Sequence, residues 1–164
     1  MKERKPLRLK EYDYSGAGCY FITICAKDRQ PLFSSVVGAG HLAGPGLNLT
    51  PCGEIVERHI QGISKAYSGV DVDKYAIMPN HVHVLLRLQG PAGCPAPTKA
   101  DIRNVMGALK SLTTRAAGFP LWQRSYYDHI IRDEDDYLRI WNYIDTNPAR
   151  WAEDEYYTDQ PSGQ

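Results

Sequence analysis

Short apolar runs alternate with amphipathic stretches along the first part of the chain, and each predicts one element. Residues 19–25 are dense in aromatic and β-branched side chains, which predicts the first strand. Residues 34–49 are rich in glycine and show little periodicity, so we expect a loop or a hairpin excursion there. Thr50 followed by Pro51 is typical of a helix N-terminus, and apolar residues at helical spacing extend this predicted helix to residue 67.

Three further strands are predicted in the rest of the chain. Two of them, at residues 70–77 and 81–88, are rich in β-branched residues and are separated by a short Met-Pro-Asn turn. A segment with several prolines and glycines, at residues 89–97, is expected to form a loop. Residues 126–132 predict the last strand.

Two further helices are predicted from their capping residues. A pattern like a capping box from Thr98 to Asp101 predicts a helix that ends at Gly118. Asp133 is expected to cap the final helix, which carries an apolar stripe at helical spacing. This helix should end near Asn147, because the proline that follows disfavours helical geometry in the residue before it.

The order strand, helix, strand, strand, helix, strand, helix predicts the fold class. It indicates an α+β, ferredoxin-like split βαβ arrangement, with an antiparallel sheet, helices on one face and an added C-terminal helix that bears a tyrosine. We expect a single domain over residues 1–150, with a basic entry segment at 1–18. Residues 151–164 are expected to form a polar, loosely ordered tail.

Composition fits a small globular protein. The chain has 164 residues, of which 43% are hydrophobic and 23% are charged, and this suffices for one core. No apolar run is long enough for a membrane helix, and the charged N-terminus has no apolar signal region. The four cysteines contain no C-x-x-C pair, so we expect reduced thiols and a cytoplasmic protein without a membrane partner.

Charge is neutral in total but uneven along the chain. A formal net charge of zero argues against a generic polyanion binder. Basic residues are concentrated at 2–10 and 99–132, whereas acidic residues collect at 133–136 and 153–155. A neutral total can therefore hide a basic face, although solvated helix faces would give the same pattern.

His81 and His83 carry the strongest chemical signal. On a strand, residues two apart point to the same face, so the two imidazoles should stand together while Val82, Val84 and Leu86 point to the other face. Histidine is the commonest metal ligand, so the pair predicts metal binding. The alternative is two structurally satisfied histidines, and two ligands alone do not complete a site.

Tyr143 and Asn147 supply the second half of a candidate site. They lie four residues apart on the predicted final helix and therefore share a face. Two imidazoles and an amide oxygen would form a partly open divalent site, and a nearby phenol could attack a phosphodiester. The alternative is that Tyr143 packs in the core and Asn147 only ends the helix.

Two motifs together resemble a known family. The segment 78–84, Met-Pro-Asn-His-Val-His-Val, resembles the His-hydrophobic-His (HUH) motif of single-tyrosine transposases. The segment 143–148, Tyr-Ile-Asp-Thr-Asn-Pro, resembles the tyrosine helix of the REP-associated tyrosine transposases in that group. Weaker similarities lie at residues 8–14, 20–24, 109–115 and 122–132, so the resemblance extends over about residues 5–150.

The resemblance implies an activity and its ligands. His81, His83 and Asn147 would hold Mg²⁺ or Mn²⁺, and Asn147 stands where better-known relatives carry glutamine. Tyr143 would attack single-stranded DNA, form a 5′-phosphotyrosine link and release a 3′-hydroxyl. The implied substrate contains imperfect hairpins from repetitive extragenic palindromes (REP), cut at a neighbouring single strand.

The resemblance and the charge pattern also imply DNA contacts. Phosphates would be bound by basic side chains and a base would stack on a tyrosine. The predicted DNA-binding residues are Arg4, Lys5, Arg8, Lys10, Lys110, Arg115, Arg124 and Tyr127. A homodimer stays open, because such relatives include both dimers and monomers. Two alternatives also stay open: a hairpin-binding protein without catalysis, and a metal hydrolase that activates water.

Overall fold

The computed structural model describes residues 18–37, 46–89, 101–154 and 156–157. The strands are β1 Gly18–Cys25, β2 Ser34–Val37, β3 Gly46–Leu49, β4 Val70–Ile77, β5 His81–Leu88 and β6 Tyr127–Ile130. The α-helices are α1 Pro51–Gln61, α2 Ile63–Ala66, α3 Ile102–Ala117 and α4 Glu134–Thr146. Two 3₁₀ turns, Lys27–Arg29 and Pro148–Glu153, complete the described elements.

Four strands form an antiparallel sheet in the order β4-β5-β1-β6. The chain passes from β1 through α1 and α2 to β4, and β5 then returns between those two strands. This is the predicted split βαβ arrangement, so the α+β fold class is confirmed. The described ends of the glycine-rich segment pair as a separate two-stranded sheet, β2-β3. Of the two predicted alternatives for residues 34–49, a loop or a hairpin, this pairing supports the hairpin.

The two faces of the sheet bury different cores. Strand alternation places Val82, Val84 and Leu86 in the larger core, together with residues of α1 and α3. The opposite face carries His81 and His83 and a smaller cluster that packs against α4. The apolar members of this smaller core are Phe21, Ala76, Met78, Leu85, Ile140, Ile144 and Trp151. The predicted division of β5 into an apolar face and a histidine face is therefore confirmed.

Helix boundaries differ from the sequence prediction in two places. The predicted helix 51–67 is interrupted at Gly62, which separates α1 from α2. The third helix begins after Asp101, which is itself the N-cap because its carboxylate accepts a hydrogen bond from the backbone N–H of Arg103 at 2.8 Å. The expected cap at Thr98 lies outside the described residues.

The final helix agrees with its prediction. The Asp133 side chain caps α4 by accepting from the backbone N–H of Asp136, and the helix ends at Thr146, immediately before Asn147. Among the described residues, no helix combines the length and apolar character needed to cross a bilayer.

Candidate metal and tyrosine site

Two buried imidazoles form the centre of the site. His81 and His83 project from β5 toward α4, and both side chains are almost fully buried. Their Nε2 atoms lie 3.1 Å apart. Adjacent ligands on an octahedral ion with bonds of about 2.1 Å would be about 3 Å apart, so the spacing suits two ligands of one divalent cation.

The other nitrogen of each ring is held by a neighbouring side chain. His81 Nδ1 lies 2.9 Å from Asn80 Oδ1, and His83 Nδ1 lies 2.8 Å from Thr23 Oγ1. The amide nitrogen of Asn80 donates to the carbonyl of Tyr156 at 2.7 Å, which turns its oxygen toward His81. His81 therefore donates from Nδ1 and keeps its lone pair on Nε2, the arrangement typical of a metal-bound histidine.

Asp154 is a candidate ligand that the sequence does not predict. Its Oδ2 lies 3.6 Å from His81 Nε2, and its side chain is fully buried. Donor atoms of His81, His83 and Asp154 all lie within 4.8 Å of one another. The prediction of a loosely ordered tail from residue 151 is wrong here, because the turn Pro148–Glu153 and the buried Trp151 return the chain to the site.

Asn147 lies beside the same cluster. Its side-chain nitrogen donates to Asp154 Oδ2 at 2.8 Å. Its Oδ1 is buried and has no hydrogen-bond partner among the described residues. A buried acceptor without a partner is costly, and a cation between this oxygen and the imidazoles would satisfy it.

Burial keeps both imidazoles neutral. It lowers the pKa of His81 to about 4, and the nearby Asp154 carboxylate and Asn147 amide offset this shift only in part. It also holds the pKa of His83 well below the ordinary value, and the neighbouring His81 adds to this effect. Neutral imidazoles can bind a metal, so the mixed set of nitrogen and oxygen donors fits a divalent cation.

Tyr143 lies against this cluster in the same chain. Its ring centroid is 5.3 Å from that of His83 and 6.0 Å from that of Phe21, and 38% of the residue is exposed. It borders two clefts. One, of about 550 Å³, is also lined by His83, and the other, of about 290 Å³, is also lined by Asn147 and Asp154.

Polar contacts fix α4 across the sheet. The Tyr137 hydroxyl donates to Asp73 Oδ2 at 2.7 Å, and Arg87 binds the same carboxylate at 2.7 Å. Lys74 forms an ion pair with Asp145 at 2.8 Å, and its ammonium lies over the Trp141 ring. These contacts join α4, which carries Tyr143, to β4 and to β5, which carries the histidines.

The predicted DNA-binding residues fall into four groups. Tyr127 is exposed and lines the larger cleft beside Tyr143. Lys110 and Arg124 line a separate depression formed by α3 and the loop before β6, where Lys110 donates to the carbonyls of Gln123 and Arg124.

Arg115 is exposed near the end of α3, on the face of the sheet opposite to α4. Arg4, Lys5, Arg8 and Lys10 lie outside the described residues.

The sheet, its two cores and α4 together define a transposase-like fold. The chain has the fold of a REP-associated tyrosine transposase solved in complex with a REP hairpin, with a TM-score of 0.63, 21% identity, and coverage of 87% of this chain and 73% of that one. No protein-family model matches the sequence.

Sequence similarity then places the chain in a family. A protein of Haemophilus influenzae described as uncharacterised is 34% identical over an alignment of 175 positions, which covers 95% of this chain and 94% of that protein. The chain belongs to the same family as this protein.

Proposed function

We propose that the protein is a metal-dependent endonuclease and strand transferase for single-stranded DNA that acts beside DNA hairpins through Tyr143. The observation that carries this proposal is the contact between the Tyr143 ring and His83, one of two buried imidazoles whose Nε2 atoms are 3.1 Å apart. The hairpin bound to the structural neighbour supports a hairpin as the DNA partner.

The proposed cation is Mg²⁺ or Mn²⁺, held by His81 and His83 with oxygen ligands from Asn147, Asp154 or both. When bound, it would stabilise negative charge on the phosphodiester and favour ionisation of a nearby phenol. Asn80 and Thr23 orient the imidazoles, and burial restricts the access of water to them.

Tyr143 is the proposed nucleophile. Its phenol oxygen would attack phosphorus, forming a bond between phosphorus and Oη while the bond from phosphorus to the 3′-oxygen breaks. The products are a 5′-phosphotyrosine link and a free 3′-hydroxyl. Partial exposure between two clefts gives this phenol access to a strand, which a side chain buried in the core would not have.

The larger cleft is the proposed path of the single strand. Its lining combines exposed Tyr127 with Phe21 and Tyr156, so bases can stack on aromatic rings there. We retain Lys110, Arg115 and Arg124, with the basic entry residues, as proposed phosphate contacts along the flanking hairpin. The contact between Tyr143 and His83 within one chain supports attack by the tyrosine of the same chain that supplies the histidines, and a homodimer stays open.

A suicide oligonucleotide tests the nucleophile. The protein is incubated with Mn²⁺ and hairpin oligonucleotides that carry a single-stranded flank, and covalent adducts are separated on a denaturing gel. Tyr143→Phe should abolish the adduct and spare hairpin binding, whereas Tyr67→Phe, on the opposite face of the sheet, should leave both unchanged. An undiminished adduct with Tyr143→Phe would exclude Tyr143.

The metal requirement has its own test. We expect the double variant His81→Ala with His83→Ala to lose metal-dependent cutting, and EDTA to stop the wild-type reaction. Cutting by the double variant in EDTA at the wild-type rate would contradict the proposal.

The same gel separates the two alternatives. A shifted hairpin without cutting would indicate a binding protein, and cutting without an adduct would indicate attack by activated water.

A further inference from the structure

A second polar pair lies on the wall of the larger cleft. His129 Nε2, on β6, is 2.8 Å from Asp136 Oδ2, on α4. His129 lines the cleft together with His83 and Tyr143, and 28% of its side chain is exposed. The sequence resemblance assigns no role to either residue, and the structure gives the pair no part in the metal cluster.

Asp136 is a well-supported acceptor. Burial raises the pKa of its carboxyl, but hydrogen bonds from Arg139 and His129 and from the Arg132 backbone outweigh this and keep the pKa below the ordinary value. An ionised carboxylate only accepts, so His129 donates from Nε2 and its Nδ1 carries the lone pair. The Asp136 carboxylate therefore orients the His129 imidazole in the way that a carboxylate orients a histidine that acts as a general base.

Strand register places His129 near the reacting group. His129 pairs directly with Phe21 across β1 and β6, and paired side chains on one face stand about 5 Å apart. The Phe21 ring contacts both His83, at 5.2 Å between centroids, and Tyr143, at 6.0 Å. His129 and Tyr143 therefore flank the same aromatic ring and face the same cleft.

We propose that His129, oriented by Asp136, is the general base that removes the proton of the Tyr143 hydroxyl during attack. This inference rests on the proposed function. The phenol proton moves to His129 Nδ1 as Oη bonds to phosphorus; the 3′-oxygen leaves with the electron pair of the broken bond and takes a proton from water. His129 then releases its proton to solvent. A phenol with an ordinary pKa near 10 needs such a base at neutral pH.

Other titratable or charged groups face the same cleft and define the controls. They are Arg139 and Tyr143 on α4, Tyr127 on β6, His83 on β5 and Tyr156. His83 belongs to the metal cluster, so the reaction is measured at saturating Mn²⁺, which holds that residue in one state. An imidazole outside the site provides the matched variant: His59 on α1 bonds to the carbonyl of Ile55 on the opposite side of the sheet.

The test is the single-turnover rate of adduct formation between pH 5.5 and 8.5, with saturating hairpin oligonucleotide. We expect His129→Gln to slow the wild-type rate by about 10²- to 10⁴-fold and to abolish the fall in rate at acidic pH. Asp136→Asn should give a smaller loss, and His59→Gln should match the wild type. Added imidazole should restore part of the rate of His129→Ala, and hairpin affinity should not change in any of these variants.

Three results would overturn this inference. One is a His129→Gln rate and pH profile equal to those of the wild type, and another is a loss of hairpin affinity with an unchanged rate at saturation. The third is a lower melting temperature together with a rate that imidazole does not restore, which would indicate a structural role. An adduct formed by the wild type in the same experiment keeps the proposed function intact in all three cases, whereas its absence would remove both proposals.

Discussion

Replacing Gly53 by alanine is expected to destabilise the protein, although alanine normally favours a helix. Gly53 is buried in the first turn of α1. A Cβ atom at this position would overlap the carbonyl oxygen of Phe33 and lie 3.0 Å from its carbonyl carbon and 3.3 Å from Leu49 Cβ. The overlapped atom belongs to the backbone, so rotation of a side chain does not relieve the contact.

The magnitude follows from three opposing contributions. Alanine is favoured over glycine in a helix by about 0.5–1 kcal/mol. An extra carbon in a packed interior costs about 1–3 kcal/mol. The Phe33 carbonyl also accepts the Thr50 backbone N–H at 3.0 Å, and displacing it costs about 1 kcal/mol more. We expect a net loss of about 2 kcal/mol, which for this size lowers the melting temperature by roughly 4–8 °C.

Gly107→Ala is the matched control. Gly107 is exposed within α3, and no atom would lie within 4 Å of an added Cβ. This variant should gain about 0.5–1 kcal/mol, because only the helix preference applies. Thermal and urea unfolding followed by circular dichroism measure both variants. A Gly53→Ala protein as stable as the wild type would refute the reasoning, since it would mean that the Phe33 backbone yields at no cost.

Gly53→Ala should also affect the candidate metal site. The Phe33 backbone N–H donates to the Pro79 carbonyl at 3.0 Å, and the next residue, Asn80, orients His81. Displacement of Phe33 should therefore lower Mn²⁺ affinity in Gly53→Ala and leave it unchanged in Gly107→Ala.

Two further predictions concern the site and its supports. Asp154→Asn should weaken Mn²⁺ binding about 10- to 100-fold in calorimetric titration, because it removes a buried carboxylate oxygen near His81. If the Mn²⁺ affinity of Asp154→Asn is unchanged and that of Asn147→Ala is lower, Asn147 is the oxygen ligand. Tyr137→Phe removes the hydroxyl bound to Asp73, so we expect about 1 kcal/mol lower stability and slower adduct formation without weaker hairpin binding. A loss of stability with an unchanged single-turnover rate would show that this contact does not position Tyr143.

Local sequence patterns were sufficient to predict the parts of the fold that depend on strand alternation or on helix capping. The alternation along β5 predicted which face carries His81 and His83, because neighbouring strand residues necessarily point in opposite directions. Asp133 and the proline after Asn147 predicted both ends of α4. These signals depend on backbone geometry within a few residues, so they can be obtained without knowledge of the tertiary structure.

The site itself depends on contacts that are remote in sequence. Thr23 binds His83 across a sequence separation of 60 residues, and the carbonyl of Tyr156 binds Asn80 across 76. Asp154 could not be recognised from spacing, because its position follows from the turn Pro148–Glu153 and from the burial of Trp151 beneath α4. The aromatic residues Trp151, Tyr156 and Tyr157 in an otherwise polar tail were the available sign that the chain returns to the core.

Burying the polar cluster beneath α4 costs free energy of desolvation, and this cost argues that the cluster has a function. Two imidazoles, the Asp154 carboxylate and an amide oxygen without a described partner are buried together, in a place where apolar side chains would pack without any desolvation penalty. Their mutual hydrogen bonds satisfy only part of this set, because Asn147 Oδ1 has no hydrogen-bond partner among the described residues. Donor atoms of His81, His83 and Asp154 lie within 4.8 Å of one another, so one cation could bind several members of the cluster, whereas a further hydrogen bond would satisfy only one of them.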